Sequence, residues 1–140
     1  MAHCRKKGLR FMTDATMLNL PDELLRLTLM DGQARVLFLR TTLATREMAR
    51  IHTPSDTAIA AMSRLMTGTL MLGVMMKDQD SSVTVTVAGD GPIGKMTAVA
   101  HGATVKISAE HPEETLPLKP DGHLDVGGLV GRRTPRSARL

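Results

Sequence analysis

The apolar segment from Thr57 to Met76 constrains the fold of this chain more than any other feature. Its apolar side chains surround the helical axis instead of forming one stripe, and a helix that is apolar all round is buried. We therefore predict a buried helix from Asp56 to Met76. Methionines are concentrated in it, and we assign them to core packing, although methionine also recurs at promiscuous binding surfaces; they are Met62, Met66, Met71, Met75 and Met76.

The same segment is long enough to cross a lipid bilayer, but Arg64 lies within it. A central arginine costs about 2.5–3.5 kcal/mol on membrane-insertion scales. We therefore favour the core helix of a soluble protein and predict no membrane partner. The N-terminus lacks the apolar region of a signal peptide. The chain has a single cysteine, Cys4, so it can form no intramolecular disulfide, and a reducing cytoplasmic location is expected.

Shorter patterns on both sides of this helix predict an α+β fold, in which mixed or antiparallel sheets pack around the buried helix. Alternating or continuous apolar runs between turn signals predict the strands. Asp31-Gly32, between two apolar runs, indicates a hairpin. The glycine-rich run 124–131 is interpreted as either a strand or a tight backbone crossing, and 110–123, with three prolines, as loop. The other predicted elements are strands at Leu24–Met30, Ala34–Arg40, Ser82–Ala88, Ile93–Ala100 and Thr104–Ala109, and a short helix at Thr42–Ile51.

The positive charge of the chain lies at its two ends. The formal net charge is +4, yet residues 11–131 hold ten basic against fourteen acidic side chains. A nucleic-acid module usually needs a basic face on its folded part. Aromatic side chains, on which single-stranded bases stack, are limited to Phe11 and Phe38. The charge distribution and the scarcity of aromatic residues therefore argue against nucleic acid as a partner.

One segment satisfies the first part of a phosphate-binding loop, G-x-x-x-x-G-K, at Gly89–Lys95. Met96 stands where a hydroxyl residue would hold magnesium, Pro92 removes one amide, and strand-like residues follow instead of a helix. We interpret the segment as a hairpin loop. His123 and Asp125 lack a third metal ligand nearby and are interpreted as surface loop residues. We predict no enzyme and assign no catalytic, cofactor-binding or metal-binding residue.

The order of segments from about Asp22 to Gly131 resembles the heat shock protein 33 family, the redox-regulated bacterial 33 kDa chaperonin. The most specific matches are the Gly-Asp-Gly-Pro-x-Gly turn within SVTVTVAGDGPIGKMTAVA at 82–100 and the run LPLKPDGHLDVGGLVG at 116–131. DGQARV at 31–36 and ATREMARIHTPSDTAIAAMSRLMTGTLMLGVMMK at 44–77 complete the set. The resemblance places Gly89–Lys95 in a strand-turn-strand, in agreement with the interpretation from the residues.

The resemblance implies a cytoplasmic holdase that binds unfolded or misfolded clients through apolar surface without ATP. In full-length members of the family, a helical linker and a C-terminal domain follow, and four cysteines there bind zinc when reduced and form disulfides when oxidised. This sequence stops before those cysteines, and Cys4 matches none of them. We therefore predict no cofactor, no zinc ligand and no redox switch in this chain.

The resemblance also divides the chain. Residues 1–21 are predicted to be a flexible extension, 22–131 a partial chaperone domain that is incomplete at its C-terminus, and 132–140 a disordered basic tail. Loss of the next strand would leave an open sheet edge, from which we predict self-association. Two alternatives remain, namely a nucleic-acid-binding protein that uses its basic ends and a nonfunctional fragment of a chaperone.

Overall fold

The computed structural model describes residues 21–76 and 80–132 and shows an α+β fold with two antiparallel sheets, which confirms the predicted class. One sheet is a two-stranded hairpin and the other has three strands in the order β3-β4-β5. The elements in chain order are β1 (Glu23–Leu29), a 3-10 turn (Met30–Gly32), β2 (Ala34–Arg40), α1 (Thr42–His52), α2 (Asp56–Met75), β3 (Ser82–Ala88), β4 (Lys95–His101), β5 (Thr104–Ala109) and α3 (Val126–Val130).

The long helix α2 lies at the centre of the domain, as its composition predicts. It begins at Ser55, whose hydroxyl oxygen accepts a hydrogen bond from the Ala58 amide, a typical N-terminal cap. Its side chains supply much of the core, and Met62 is fully buried. Its length and composition would also suit a membrane span, but a core helix meets the same test.

The prediction that α2 is buried on every side is wrong for one side. Arg64, Leu72 and Met75 are exposed, because the sheets and α3 cover only part of the helix surface. The methionine cluster divides in the same way. Met62 and Met66 pack in the core, as predicted, whereas Met75 and Met76 are exposed.

The three-stranded sheet packs against α2 through small side chains on its middle strand. Ala98 and Ala100 of β4 are fully buried, and they alternate with residues that face outward. A Cβ atom added at Gly73 of α2 would lie 2.8 Å from the Cβ of Ala100. The glycine therefore permits a close approach of helix and sheet. Gly68, in contrast, faces open space.

The glycine-rich run near the C-terminal end of the described chain forms the short helix α3 and not a strand or a simple crossing. The Asp125 carboxylate accepts a hydrogen bond from the Gly128 amide at 2.9 Å, which caps the first turn. Leu129 is fully buried against the core. The cap and this single buried side chain outweigh the low helix propensity of the two glycines within α3.

Several sequence predictions lie outside the described residues. These include Cys4, most of the basic residues at the two ends, and nearly all of the extension and tail predicted at 1–21 and 132–140. Arg132 is described, and its amide donates a hydrogen bond to the Asp90 carboxylate at 2.6 Å.

The loop between β3 and β4 packs tightly against α3, and substitution of Gly91 in this loop tests that contact. A Cβ atom at Gly91 would land on the Leu129 carbonyl oxygen, which belongs to backbone and cannot swing away. We expect Gly91→Ala to lower the free energy of unfolding by about 1–3 kcal/mol. Gly68→Ala is the matched control and should raise it by up to about 1 kcal/mol, because Gly68 lies in the middle of α2 with open space around it. Urea unfolding of both variants checks this; equal effects would contradict the packing.

Glu110 predicts a pH dependence of stability. Its carboxylate accepts a hydrogen bond from the Lys95 amide at 2.9 Å and lies 3.5 Å from the Lys95 ammonium. This backbone hydrogen bond, aided by the nearby charge, lowers the pKa of Glu110 below its usual 4.5. A lowered folded-state pKa stabilises the fold above the unfolded value, and the stabilisation is lost as pH falls through the folded value.

We therefore expect Glu110→Gln to lower the urea midpoint at neutral pH, and the difference from the unsubstituted chain to vanish in acid below the folded pKa. Urea titrations at neutral and acidic pH provide the measurement. A midpoint difference that does not change with pH would show that the charge of Glu110 does not stabilise the fold.

Candidate functional site

The outward face of the β1–β2 hairpin is the most prominent apolar surface among the described residues. The strand register places Leu25 opposite Phe38, Leu27 opposite Val36 and Leu29 opposite Ala34, and directly opposed residues share one face. We call these six residues the outer hairpin face. Leu25 and Phe38 remain 51% and 57% exposed, and Leu29 remains 50% exposed. Contiguous exposed apolar surface of this kind marks an interaction site.

The opposite face of the hairpin is the one turned toward the body of the domain, although it is more polar. Leu24, Leu37 and Leu39 are half-buried there. Arg26 on this face donates a hydrogen bond from its guanidinium to the Val74 carbonyl at the end of α2, at 2.8 Å. The hairpin therefore uses a charged side chain to dock on the helix and leaves its more apolar face exposed.

Three charged residues fix the base of the hairpin, namely Asp22, Glu23 and Arg40. The Asp22 carboxylate accepts hydrogen bonds from the amides of Leu43 and Ala44 at 2.9 and 2.8 Å, which caps the first turn of α1. The Arg40 guanidinium lies 3.0 Å from the Glu23 carboxylate and donates two hydrogen bonds to the Pro21 carbonyl. These contacts hold the open end of the hairpin against α1.

The turn of the hairpin carries further exposed apolar surface. Met30 and Asp31 both have φ of 53°, and Gly32 has φ of 95°. A non-glycine residue in this left-handed region is uncommon, and asparagine and aspartate adopt it most readily. Met30 is 72% exposed at the tip of the hairpin, directly after Leu29 of the outer hairpin face. The hairpin predicted from Asp31-Gly32 is confirmed, with the left-handed backbone starting one residue earlier than the Asp-Gly pair.

A groove separates the hairpin from the end of α2. Its volume is about 440 Å³, and its walls include Leu27 and Val36 from the outer hairpin face and Val74, Met75 and Met76 from the helix end. Met75 and Met76 are 64% and 46% exposed. The unbranched thioether side chain adapts to differently shaped apolar partners. Arg26, Thr28 and Arg35 of the opposite hairpin face also line the groove, so it is partly charged and meets the outer hairpin face at Leu27 and Val36.

The Gly89–Lys95 loop is a strand-turn-strand, as predicted, and has no free cradle for a phosphate. Its amides are already used within the chain: Asp90 and Gly91 donate to the carbonyls of Arg132 and Val130 at 3.3 and 3.2 Å. Ile93 donates to Leu129 at the same distance of 3.3 Å. A phosphate-binding loop needs these amides unpaired, with a helix following. Here β4 follows, so the loop joins the sheet to α3.

His123 and Asp125, which the sequence analysis interprets as surface loop residues, both make hydrogen bonds within the chain. His123 is exposed, and its amide donates to the Asp121 carboxylate at 3.0 Å. Asp125 caps α3 and lies 3.6 Å from the Lys119 ammonium. Within 21–76 and 80–132, no three His, Cys, Asp or Glu side chains lie close enough together to bind a metal ion.

Sequence reasoning missed the outer hairpin face. The two apolar runs correctly predict two strands, but each run has apolar residues on both faces, so the pattern does not show which face is exposed. Arg26, Thr28 and Arg35 give the only signal, because they interrupt one face and leave the other continuously apolar. In a hairpin, the continuously apolar face is usually the one that is buried. Here Arg26 docks on α2, so the face that carries Arg26 is turned toward the domain and the continuously apolar face is exposed.

Comparison with known proteins places these features in a family. The family described as Hsp33 protein matches residues 22–134. The chain is 40% identical over 111 residues to the 33 kDa chaperonin of Staphylococcus aureus strains JH9 and Newman, which covers 79% of this chain and 38% of each relative. The chain thus spans less than two-fifths of the length of these relatives.

A solved structure shares the fold. The crystal structure of the 33 kDa chaperonin (heat shock protein 33 homolog) of Thermotoga maritima matches with a TM-score of 0.71 and 25% identity, covering 76% of this chain and 37% of that one. The resemblance carried by the turn at 89–94 and the run at 116–131 is therefore confirmed. By sequence and by fold, the chain belongs to the Hsp33 family of chaperones.

Proposed function

We propose that this chain is a holdase, which binds unfolded proteins through the outer hairpin face and the adjoining groove without ATP or another cofactor. The exposed apolar face of a two-stranded sheet is the observation that carries the proposal. Membership of a chaperone family supports it, because unfolded clients share exposed apolar side chains and little else. A cytoplasmic location and unfolded clients as partners remain predictions from the sequence.

The size of the outer hairpin face suits a short extended segment of a client. From Leu25 to Leu29 the strand advances by roughly 14 Å, the length of about five extended residues. Complete burial of a leucine or phenylalanine side chain contributes about 1.5–3 kcal/mol. Residues that are already half-buried contribute about half of that, so several contacts together give a moderate affinity. Moderate, sequence-tolerant binding is what a holdase needs to retain and later release a client.

The residues around the outer hairpin face limit the length of its apolar surface. The Glu23–Arg40 ion pair lies at the base of the hairpin, on the same side as the apolar residues. A charged pair at one end and the exposed Met30 at the other define a short apolar strip between them. Clients with apolar stretches separated by polar residues can engage this strip and the methionine-lined groove at the same time.

Substitution of the central apolar pair tests the proposal. We expect Leu25→Thr/Phe38→Thr to raise about tenfold the concentration that half-suppresses aggregation of a chemically unfolded client, because two half-exposed contacts together are worth about 1.5–3 kcal/mol. Threonine keeps the β-propensity of these positions, so the hairpin should persist. Light scattering during dilution of the client gives the measurement, and circular dichroism checks the fold.

The matched control is Ile51→Gln/Leu118→Gln. These two side chains are 60% and 59% exposed, comparable to Leu25 and Phe38, but they lie on α1 and on the loop before α3. This variant should suppress aggregation as well as the unsubstituted chain. If the two double variants lose activity equally, general surface hydrophobicity is responsible and the hairpin is not the client site.

Nucleotide should have no effect on this activity. Because the amides of the Gly89–Lys95 loop are paired with the backbone at 129–132, the loop cannot cradle phosphates. We expect ATP with magnesium to leave both the thermal unfolding midpoint and the suppression of aggregation unchanged. A rise in the midpoint with ATP, lost in Lys95→Ala, would instead favour a nucleotide-binding protein.

A further inference from the structure

The groove between the hairpin and the end of α2 differs in charge from the rest of the domain. Arg26 and Arg35 line it, and no aspartate or glutamate of the described chain does. Residues 11–131 as a whole hold ten basic against fourteen acidic side chains. The groove is therefore a small positive region on a chain segment that is acidic overall, and this contrast bears on which client segments it can hold.

Both arginines lie on the hairpin face that is turned toward the domain. The strand register places Arg26 opposite Leu37 and Arg35 opposite Thr28, so the two arginines share one face and are diagonal neighbours. Diagonal neighbours of an antiparallel pair are separated by roughly 7–8 Å, which long side chains span. One acidic segment of a client can therefore approach both guanidinium groups.

The two guanidinium groups differ in what they already bind. Arg26 donates one hydrogen bond to the Val74 carbonyl at 2.8 Å, and the guanidinium has further N–H donors. Arg35 is exposed, and no carboxylate of residues 21–76 or 80–132 lies within ion-pair distance of it. Several other basic side chains do have a carboxylate partner, namely Arg40, Arg50, Lys95 and Lys119. Arg35 is thus a cation that can pair with an incoming carboxylate.

Apolar side chains lie next to these arginines in the same groove. Val74, Met75 and Met76 form its helix side, and Met75 is 64% exposed. The volume of the groove is about 440 Å³, so a ligand that uses both kinds of wall must carry its apolar and acidic groups close together. A planar guanidinium binds a carboxylate through two parallel hydrogen bonds, which makes arginine suited to this pairing.

We propose that the groove selects client segments in which acidic residues lie next to apolar ones. The apolar side chains pack against Met75 and Met76, and the carboxylates pair with Arg35 and with the remaining N–H groups of Arg26. Segments with lysine or arginine beside their apolar residues meet like charge here and are disfavoured. This inference rests on the proposed holdase function and names the class of client segment that the holdase retains.

Peptides of matched apolar content test the selection. Three labelled peptides carry the same leucines, flanked by glutamate, glutamine or lysine, and fluorescence anisotropy gives their dissociation constants from the full chain at low salt. We expect the glutamate peptide to bind about threefold to tenfold more tightly than the lysine peptide, with glutamine between them, because exposed ion pairs are individually weak. The difference should shrink at about 0.5 M salt, which screens exposed charges.

Charge reversal at Arg35 locates the selection in the groove. Arg35→Glu offsets the charge of Arg26 and should bring the glutamate and lysine peptides to within about twofold of each other, whereas Arg35→Gln should give an intermediate preference. Lys106→Glu is the matched control, because it changes the net charge equally at an exposed position of β5 outside the groove. The control should keep the preference of the unsubstituted chain. Circular dichroism checks the fold of all three variants.

The outcomes separate this inference from the holdase proposal. Equal binding of the three peptides, or tighter binding of the lysine peptide, would overturn the selection and leave the holdase proposal standing. An unchanged preference in Arg35→Glu would place the selection elsewhere, and an equal loss in Lys106→Glu would assign it to net charge; either result overturns the role of the groove. If the unsubstituted chain binds none of the peptides, the holdase proposal fails and this inference fails with it.

Discussion

The close contact between α2 and the three-stranded sheet is the interaction on which the rest of the structure depends. Gly73 and Ala100 allow helix and strand to approach so closely that an added Cβ would lie 2.8 Å from its neighbour. Around this contact, Met62 and Met66 from the helix and Met96 from β4 form the core. Methionine is flexible enough to fill the irregular space between a helix and a twisted sheet. A chain with only two aromatic residues thus builds its core from methionine, alanine and a few branched side chains.

This packing covers only part of the surface of α2, and the last turn of the helix is left partly exposed. At the last turn of the helix, Val74 receives a hydrogen bond from Arg26 of the hairpin, and Met75 remains exposed. The hairpin therefore docks through a polar contact at one place and leaves four large apolar side chains of the outer hairpin face exposed, namely Leu25, Leu27, Leu29 and Phe38. Exposed apolar surface opposes solubility and adds nothing to the stability of the monomer. Its presence on a member of a family whose relatives are named chaperonins is understandable if it binds other chains.

The loop at 89–95 illustrates why a short motif needs its structural context. The residue spacing of a phosphate-binding loop is present, but the amides that would bind phosphate are bonded to the backbone of α3 and the residues after it. Gly91 is needed there because the backbone at Leu129 leaves no room for a Cβ atom. The glycines of this spacing instead allow the loop to pack against α3. Because a strand follows the loop, no helix N-terminus is present there to bind a phosphate.

The sequence by itself determined the elements whose cause is local. The two strands of the hairpin, the alternating β3 and the long helix α2 follow from periodicity and turn residues, and the family follows from the turn at 89–94 and the run at 116–131. What only the tertiary structure decided is which surfaces are left exposed. The helical wheel of α2 is apolar all round, so only the extent of the sheets shows that Leu72 and Met75 lie outside the core. The run at 124–131 has a local helix signal in the Asp125 cap, but its glycines disfavour a helix, and only the burial of Leu129 in the core decides the outcome. The outer hairpin face is likewise set by where Arg26 docks, a contact across 48 residues that no local pattern encodes.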